Sequence, residues 1–348
     1  MPFANPAASA KPAQKPRQVA FDPAIAKAVA ERLVVGLSDE IVCLQLRHMA
    51  DDQVIRAYIR EAKNNPFYQG AAQSRAPLLK RSWILESQAE LWRRDPSNRQ
   101  IPVRENLAPE EFYRDYFNNY RPVLVKGWID HWPAMTLWDT DYLEAKIGRD
   151  TPVQLQKDRD SRPDYEAATL YLREKIPFGD IADHLRSGKP SNDMYVTANN
   201  GAENVEAFKP IWPDFEAIDG IIKERTQNDS FVWIGPAGTV TPFHHDLTNN
   251  LLIQVKGRKE VVLVPSWEEA HMHTNDRFFS SLTPADMSFS DSAKLAAMKF
   301  VIGPGDALFI PVGWWHHIVS LEESYSVLFT NFMQNNDFSS SFPEETQG

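Results

Sequence analysis

The 348-residue chain contains a single cysteine, Cys43. A lone thiol excludes an intramolecular disulfide and a cysteine-built zinc site, and its apolar helical surroundings predict a buried, inert side chain in a reducing compartment. Lys and Arg number 37 against 47 Asp and Glu, a net charge of −10. The chain therefore lacks the positive excess of a general phosphate-backbone binder. It also lacks any apolar run near the roughly 20 residues of a membrane span, and no apolar stretch follows the basic residues of its N-terminus. Together these absences predict a soluble, cytoplasmic protein with no membrane partner. Residues 1–20 carry Lys11, Lys15, Arg17 and four prolines but no acid, a composition that cannot bury an apolar face and predicts a disordered tail. Neither an internal repeat nor a Gly-rich phosphate loop is present.

What remains is apolar enough, at 43% hydrophobic, for about two packing units of roughly 150 residues each. Ile25, Val29 and Leu33, then Ile41, Leu44 and His48, then Val54, Ile55, Tyr58, Ile59 and Ala62 recur at helical spacing. They predict an N-terminal helical region over residues 21–100. Ser38 and Asp51 stand where N-caps belong, and Asn64-Asn65-Pro66 supplies a stop. Polar residues 95–107 read as the join to a larger domain over 101–335, with a tail at 336–348. That domain opens with a helix over 109–120, a strand over 121–127 and a helix over 141–147. Eight short strand-like runs follow, over residues 231–234, 241–246, 251–255, 260–264, 299–302, 307–310, 316–321 and 325–333. Turns at Lys256-Gly257-Arg258 and Gly303-Pro304-Gly305-Asp306 separate them. The predicted fold is mainly β with α: a jelly roll, the double-stranded β-helix of cupins, preceded by helices.

His244 and Asp246 are two residues apart in a predicted strand, so their side chains leave the same face. His316 lies in another predicted strand. Two imidazoles and one carboxylate are the donor set of non-haem Fe(II) oxygenases, which leaves coordination positions open for chemistry. Alone, a His-x-Asp also fits a hydrogen-bonded pair at a strand end. Lys259 lies thirteen residues past Asp246, where a barrel wall would aim its ammonium at the carboxylate of a bound diacid; the alternative is a solvated edge charge, as expected of Lys256 and Arg258. His271 and His273 form a second His-x-His, read as solvated loop residues because no third donor is near.

Thr241-Pro-Phe-His244-His-Asp246-Leu-Thr-Asn-Asn250 through Lys259, with Gly303-Pro-Gly-Asp through Trp314-Trp-His316-His-Ile, resembles the JmjC, cupin-like 2-oxoglutarate oxygenases. Within that family it is most similar to the asparaginyl hydroxylases that inhibit the hypoxia-inducible factor. The resemblance spans about residues 109 to 333. It implies that His244, Asp246 and His316 hold Fe(II), with His245 and His317 as neighbours that do not. It further implies that Lys259, Thr241 and Tyr195 bind the distal carboxylate of 2-oxoglutarate, and that Asn250 and Asn331 lie beside its metal-binding end. Met333 stands where those hydroxylases have a tryptophan, which bears on the primary substrate more than on the reaction.

The activity so implied is a 2-oxoglutarate-dependent dioxygenase that uses O2 to hydroxylate a C–H bond of a protein or peptide side chain, with succinate and CO2 as co-products. A small molecule or methyl-lysine is the alternative substrate, and a non-oxidative metal-binding cupin the alternative class. The member resembled dimerises through helices after its barrel, so a homodimer is expected here, with the N-terminal helices in that role. Nucleic acid is not expected as a partner.

Overall fold

The computed structural model describes residues 22–342 except 163, 167, 225–229, 274–277 and 288–293. The expected tail over 1–20 and the final six residues of the expected C-terminal tail lie outside the described residues. The chain packs as two units, one ending at Leu85 and the other beginning at Glu86.

In the first unit, α1 (Pro23–Val34), α2 (Asp39–Leu46) and α3 (Asp52–Asn64) share one core built from Ile25, Val29, Leu33, Val42, Cys43, Leu46, Ile55, Tyr58 and Ile59. Ser38 caps α2 by accepting a hydrogen bond from the Ile41 N–H at 3.4 Å, whereas Asp51 takes the N-cap position of α3 without a side-chain bond. Cys43 is buried. The inward face of α2 differs from the expected one: Ile41 and Leu44 are exposed, and Val42, Cys43 and Leu46 point inward. An eight-residue helix with apolar residues on most sides does not fix its own phase, so packing against α1 and α3 chooses it. Pro66 ends α3 and begins α4 (Pro66–Arg94), since proline suits the first turn, where its missing N–H costs nothing. No helix among the described residues is long and apolar enough to cross a membrane.

Among the described residues, the second unit has thirteen strands. They are β1 (Val103–Glu105), β2 (Val123–Lys126), β3 (Pro152–Lys157), β4 (Arg173–Pro177), β5 (Met194–Tyr195), β6 (Ser230–Gly235) and β7 (Val240–His244), followed by β8 (Asn250–Lys256), β9 (Lys259–Val264), β10 (Met298–Ile302), β11 (Ala307–Ile310), β12 (Trp315–Ser320) and β13 (Ser324–Phe329). One sheet runs β1-β2-β11-β8-β13-β6 and faces a second, β10-β9-β12-β7; a small third sheet, β4-β3-β5, adjoins β6 through a bridge between Val196 and Ile234. All pairs are antiparallel except β1 with β2. This is the expected jelly roll.

Side-chain alternation divides its core in two. Leu251, Ile253 and Val255 of β8, with Phe309 and Phe329, pack outward onto Phe112, Phe117, Trp132 and Phe332. Leu252, Leu308 and Ile310 face inward, toward Val261, Leu263, Ile302 and Ile318 of the opposite sheet. A barrel interior lined in this way is apolar, so a polar side chain aimed into it needs a partner.

The turn from β8 to β9 sets the register that carries Lys259 inward. Gly257 has φ +75°, and a Cβ there would stand 2.0 Å from the Glu323 carbonyl oxygen. Gly257→Ala is therefore expected to cost about 1–3 kcal/mol of unfolding free energy. Urea denaturation followed by circular dichroism measures it, and an unchanged midpoint would contradict this account of the turn.

Candidate active site

Two strands distant in sequence create the site by pairing. β7 lies beside β12 with His244 directly opposite His316, and the imidazole centroids are 4.1 Å apart. The same β12 pairs with β9 on its other side, where Lys259 stands opposite Ser320. His316, Ile318 and Ser320 share one face of β12, so the histidine and the lysine belong to the same inner wall, about 13 Å apart along the strand. The β7–β12 register slips between the His316–His244 and Ile318–Thr241 pairs. This bulge, at Pro242 and Phe243, inserts one extra residue in β7. Thr241 and His244 would lie on opposite faces of a regular strand, yet both line the cavity.

Asp246 was expected within the strand. Instead β7 ends at His244, and Asp246 sits in the following loop, where its carbonyl accepts from the Gly313 N–H at 2.9 Å. Its two carboxylate oxygens stand 3.9 Å from His244 Nε2 and 3.6 Å from His316 Nε2. Among the described residues, His244, Asp246 and His316 form the one group of three such side chains able to hold a metal ion. His271 is not in it; its Nε2 lies 3.6 Å from Glu86 instead.

The donors are prepared for a cation. His244 Nδ1 lies 2.9 Å from the Pro242 carbonyl oxygen and His316 Nδ1 lies 3.0 Å from that of Trp314. A carbonyl only accepts, so both Nδ1 atoms carry the proton and both Nε2 lone pairs face Asp246. Burial holds the His316 pKa well below the ordinary histidine value, which keeps its imidazole neutral at neutral pH. Burial opposes ionisation of Asp246, yet its carboxyl lies below the usual range, and the hydrogen bond from Asn250 Nδ2 favours the anion. Of the neighbouring histidines, His245 also borders the cavity but its ring packs against Trp315 at 4.8 Å between centroids, and His317 packs against Phe243 at 5.2 Å.

These groups open on a cavity of about 380 Å3 lined by Tyr195, Thr241, Asn250, Lys259, Phe231, Trp233, Phe278 and Phe279 among others. Lys259 is only 2% exposed. Its ammonium donates to the Tyr195 hydroxyl at 3.4 Å, and no carboxylate among the described residues lies within ion-pair distance. Burial lowers its pKa to about 7 and pushes Tyr195 up to about 12. Lys256 and Arg258 pair instead with Glu323 and Glu322 at the surface. A cation buried without its counter-charge fits an anionic ligand, as a lysine in an apolar wall otherwise would not.

Asn331 is absent from the cavity lining. Leu328 and Thr330 take the inward positions, and alternation turns Asn331 outward, where its Nδ2 donates to the Lys223 carbonyl at 3.1 Å. Sequence reasoning missed a buried pair behind Tyr195. Glu166 lines the cavity and Arg159 lies 3.3 Å from its carboxylate, with the guanidinium over the rings of Tyr165 and Tyr195 at 4.4 and 5.3 Å. No local pattern distinguishes Arg159 and Glu166 from surface charges; only the fold buries them.

A family model described as a cupin-like domain matches residues 109–338. The chain belongs to the cupin-like domain family. Among similar proteins, Lysine-specific demethylase JMJ30 of Arabidopsis thaliana is 29% identical over 244 residues, 66% of this chain and 54% of the relative. Jumonji C domain-containing protein 5 of Drosophila melanogaster is 29% identical over 250 residues, covering 67% of this chain and 60% of the relative. Lysine-specific demethylase 8 of Xenopus tropicalis is 28% identical over 243 residues, 67% and 53% respectively. This cupin-like chain thus spans little more than half the length of the relatives it matches.

The uncompensated lysine makes a measurable demand on stability. Its folded pKa of about 7 lies below the ordinary 10.5. Below about pH 7 both folded and unfolded chains hold the proton; between 7 and 10.5 the unfolded chain holds more, so the Lys259 contribution to stability rises with pH in that window. Lys259→Met removes the cost, so the variant should melt above wild type near about pH 6, with the gap closing near about pH 9. Calorimetric scans of both proteins check this, and a gap that does not change with pH would refute it.

Proposed function

We propose that this chain is an Fe(II)- and 2-oxoglutarate-dependent oxygenase that hydroxylates a C–H bond of a protein or peptide side chain and releases succinate and CO2. The observation that carries the reading is the buried, uncompensated Lys259 ammonium sharing one cavity with the His244, Asp246 and His316 group. His244, Asp246 and His316 would hold the metal, and Lys259 with Tyr195 and Thr241 would take the distal carboxylate of the co-substrate. Bound iron would supply the activation of O2 that side chains cannot provide.

The protein's own part is positioning. Lys259 neutralises one end of the diacid and the Tyr195 hydroxyl orients it, so the keto-acid end is directed toward the three donors. Leu252, Ile310, Ile318 and Leu328 surround it with apolar walls that exclude water. A non-oxidative cupin has no need of a diacid anchor, and Lys259 counts against that class.

A second reading follows from the aromatic residues Phe231, Trp233, Phe278 and Phe279 in the same lining. Aromatic faces suit a cationic side chain. Oxidation of an N-methyl carbon on such a side chain would end in demethylation, the activity in the names of two relatives.

The experiment is succinate formation from 2-oxoglutarate with Fe(II), ascorbate and a peptide panel of asparagine, histidine, arginine, lysine and methyl-lysine sequences, read by peptide mass. An added oxygen marks stable hydroxylation; loss of a methyl group with formaldehyde marks the second reading. His316→Ala and Lys259→Ala should each lower turnover by about 100-fold or more. Equal turnover in wild type and both variants would overturn the assignment.

A further inference from the structure

Asp246 is the exposed member of the candidate metal group and the one outside a strand: its side chain is 38% exposed and it follows the end of β7. A carboxylate on a loop turns about two side-chain torsions, and nothing in the β7 ladder restrains it. His244 and His316, by contrast, each have one ring nitrogen tied to a carbonyl of their own strand segment.

The restraint on Asp246 comes from the chain four residues ahead. Asn250 Nδ2 donates to Asp246 Oδ2, and the Thr248 hydroxyl donates to Asn250 Oδ1 at 3.3 Å. The hydroxyl and the amide have complementary roles: with Oδ1 accepting from Thr248, the NH2 is the group presented to the carboxylate. Asn250 is nearly fully buried and is the first residue of β8, paired with Ile310 of β11. It is a fixed post at the end of the loop. The loop backbone is anchored too, because Asn249 Oδ1 accepts from the Val312 N–H at 2.9 Å and Asn336 Oδ1 accepts from the Asn249 N–H at 2.8 Å.

We propose that Asn250 is a positioning residue that orients the Asp246 carboxylate for the metal, and that Thr248 acts through Asn250 by fixing its amide. This rests on the metal-binding reading above. It assigns Asn250 a task that precedes any contact with the co-substrate. Rotation of the carboxylate away from the two Nε2 atoms would break the Asn250 bond, so the hydrogen bond selects the converged arrangement before a cation arrives.

The test uses Co(II) alone as a spectroscopic probe, titrated into the metal-stripped full chain without 2-oxoglutarate and followed by its visible absorption. Asn250→Ala, Thr248→Val and the double variant are compared with wild type, with melting temperatures recorded for each. Asn250→Ala is expected to weaken Co(II) binding by about 10- to 100-fold, Thr248→Val by less, and the double variant no more than Asn250→Ala alone. Unchanged Co(II) affinity in Asn250→Ala, with N-oxalylglycine binding weakened instead, would make Asn250 a co-substrate contact and overturn the proposal. Additive losses would overturn the role of Thr248. Should Asn250→Ala melt early, Thr248→Val, on a partly exposed side chain, decides alone: a loss of Co(II) affinity at an unchanged melting temperature supports the proposal, and no loss overturns it. Wild type that binds no Co(II) defeats the underlying metal reading, a result distinct from wild type binding as well as Asn250→Ala does.

Discussion

The pairing of Val240–His244 with Trp315–Ser320 is the constraint on which the site depends. It joins segments about seventy residues apart and brings two imidazoles to 4.1 Å between centroids. The bulge within it turns Thr241 to the same side as His244. A one-residue slip in this ladder would send His316 to the outer face and His317 into the barrel. The large aromatic core behind the six-stranded sheet and the aliphatic interior between the sheets hold that register, because both are filled by side chains of fixed parity.

Against this rigid frame the polar groups of the cavity stand out as costs. Lys259 lies in an apolar wall with a phenol hydroxyl for company, and Arg159 is fully buried behind Tyr195 with Glu166 as its counter-charge. Burying these groups does not stabilise the fold in the way that Leu252 or Val261 does. Both are buried, and the two arrangements differ: Arg159 has Glu166 as its own acid, while Lys259 has no carboxylate within ion-pair distance among the described residues.

The loop that carries Asp246 mediates between these extremes. It is tied at Gly313, Val312 and Asn336 by backbone and amide bonds, so the third donor is neither part of a strand nor free. Such a loop keeps the geometry of a strand-borne site while leaving one side of the donor group open to the cavity. A cupin barrel can therefore present three donors from one side only, with the remaining directions kept for ligands.

Read from the amino acids alone, the chain already contained its fold class and its candidate donor set. Short β runs between turn residues encode a jelly roll locally, and a His-x-Asp with a distant histidine and a lysine is a chemical pattern that does not depend on register. The helical phase of α2, the bulge at Pro242 and Phe243, the exit of Asp246 from its strand, the outward turn of Asn331 and the burial of Arg159 with Glu166 were decided only in three dimensions. Each depends on which neighbour a segment packs against, and a side chain one residue out of step changes face. Local composition carries no record of that choice, because the free energy that makes it comes from contacts between parts of the chain far apart in sequence.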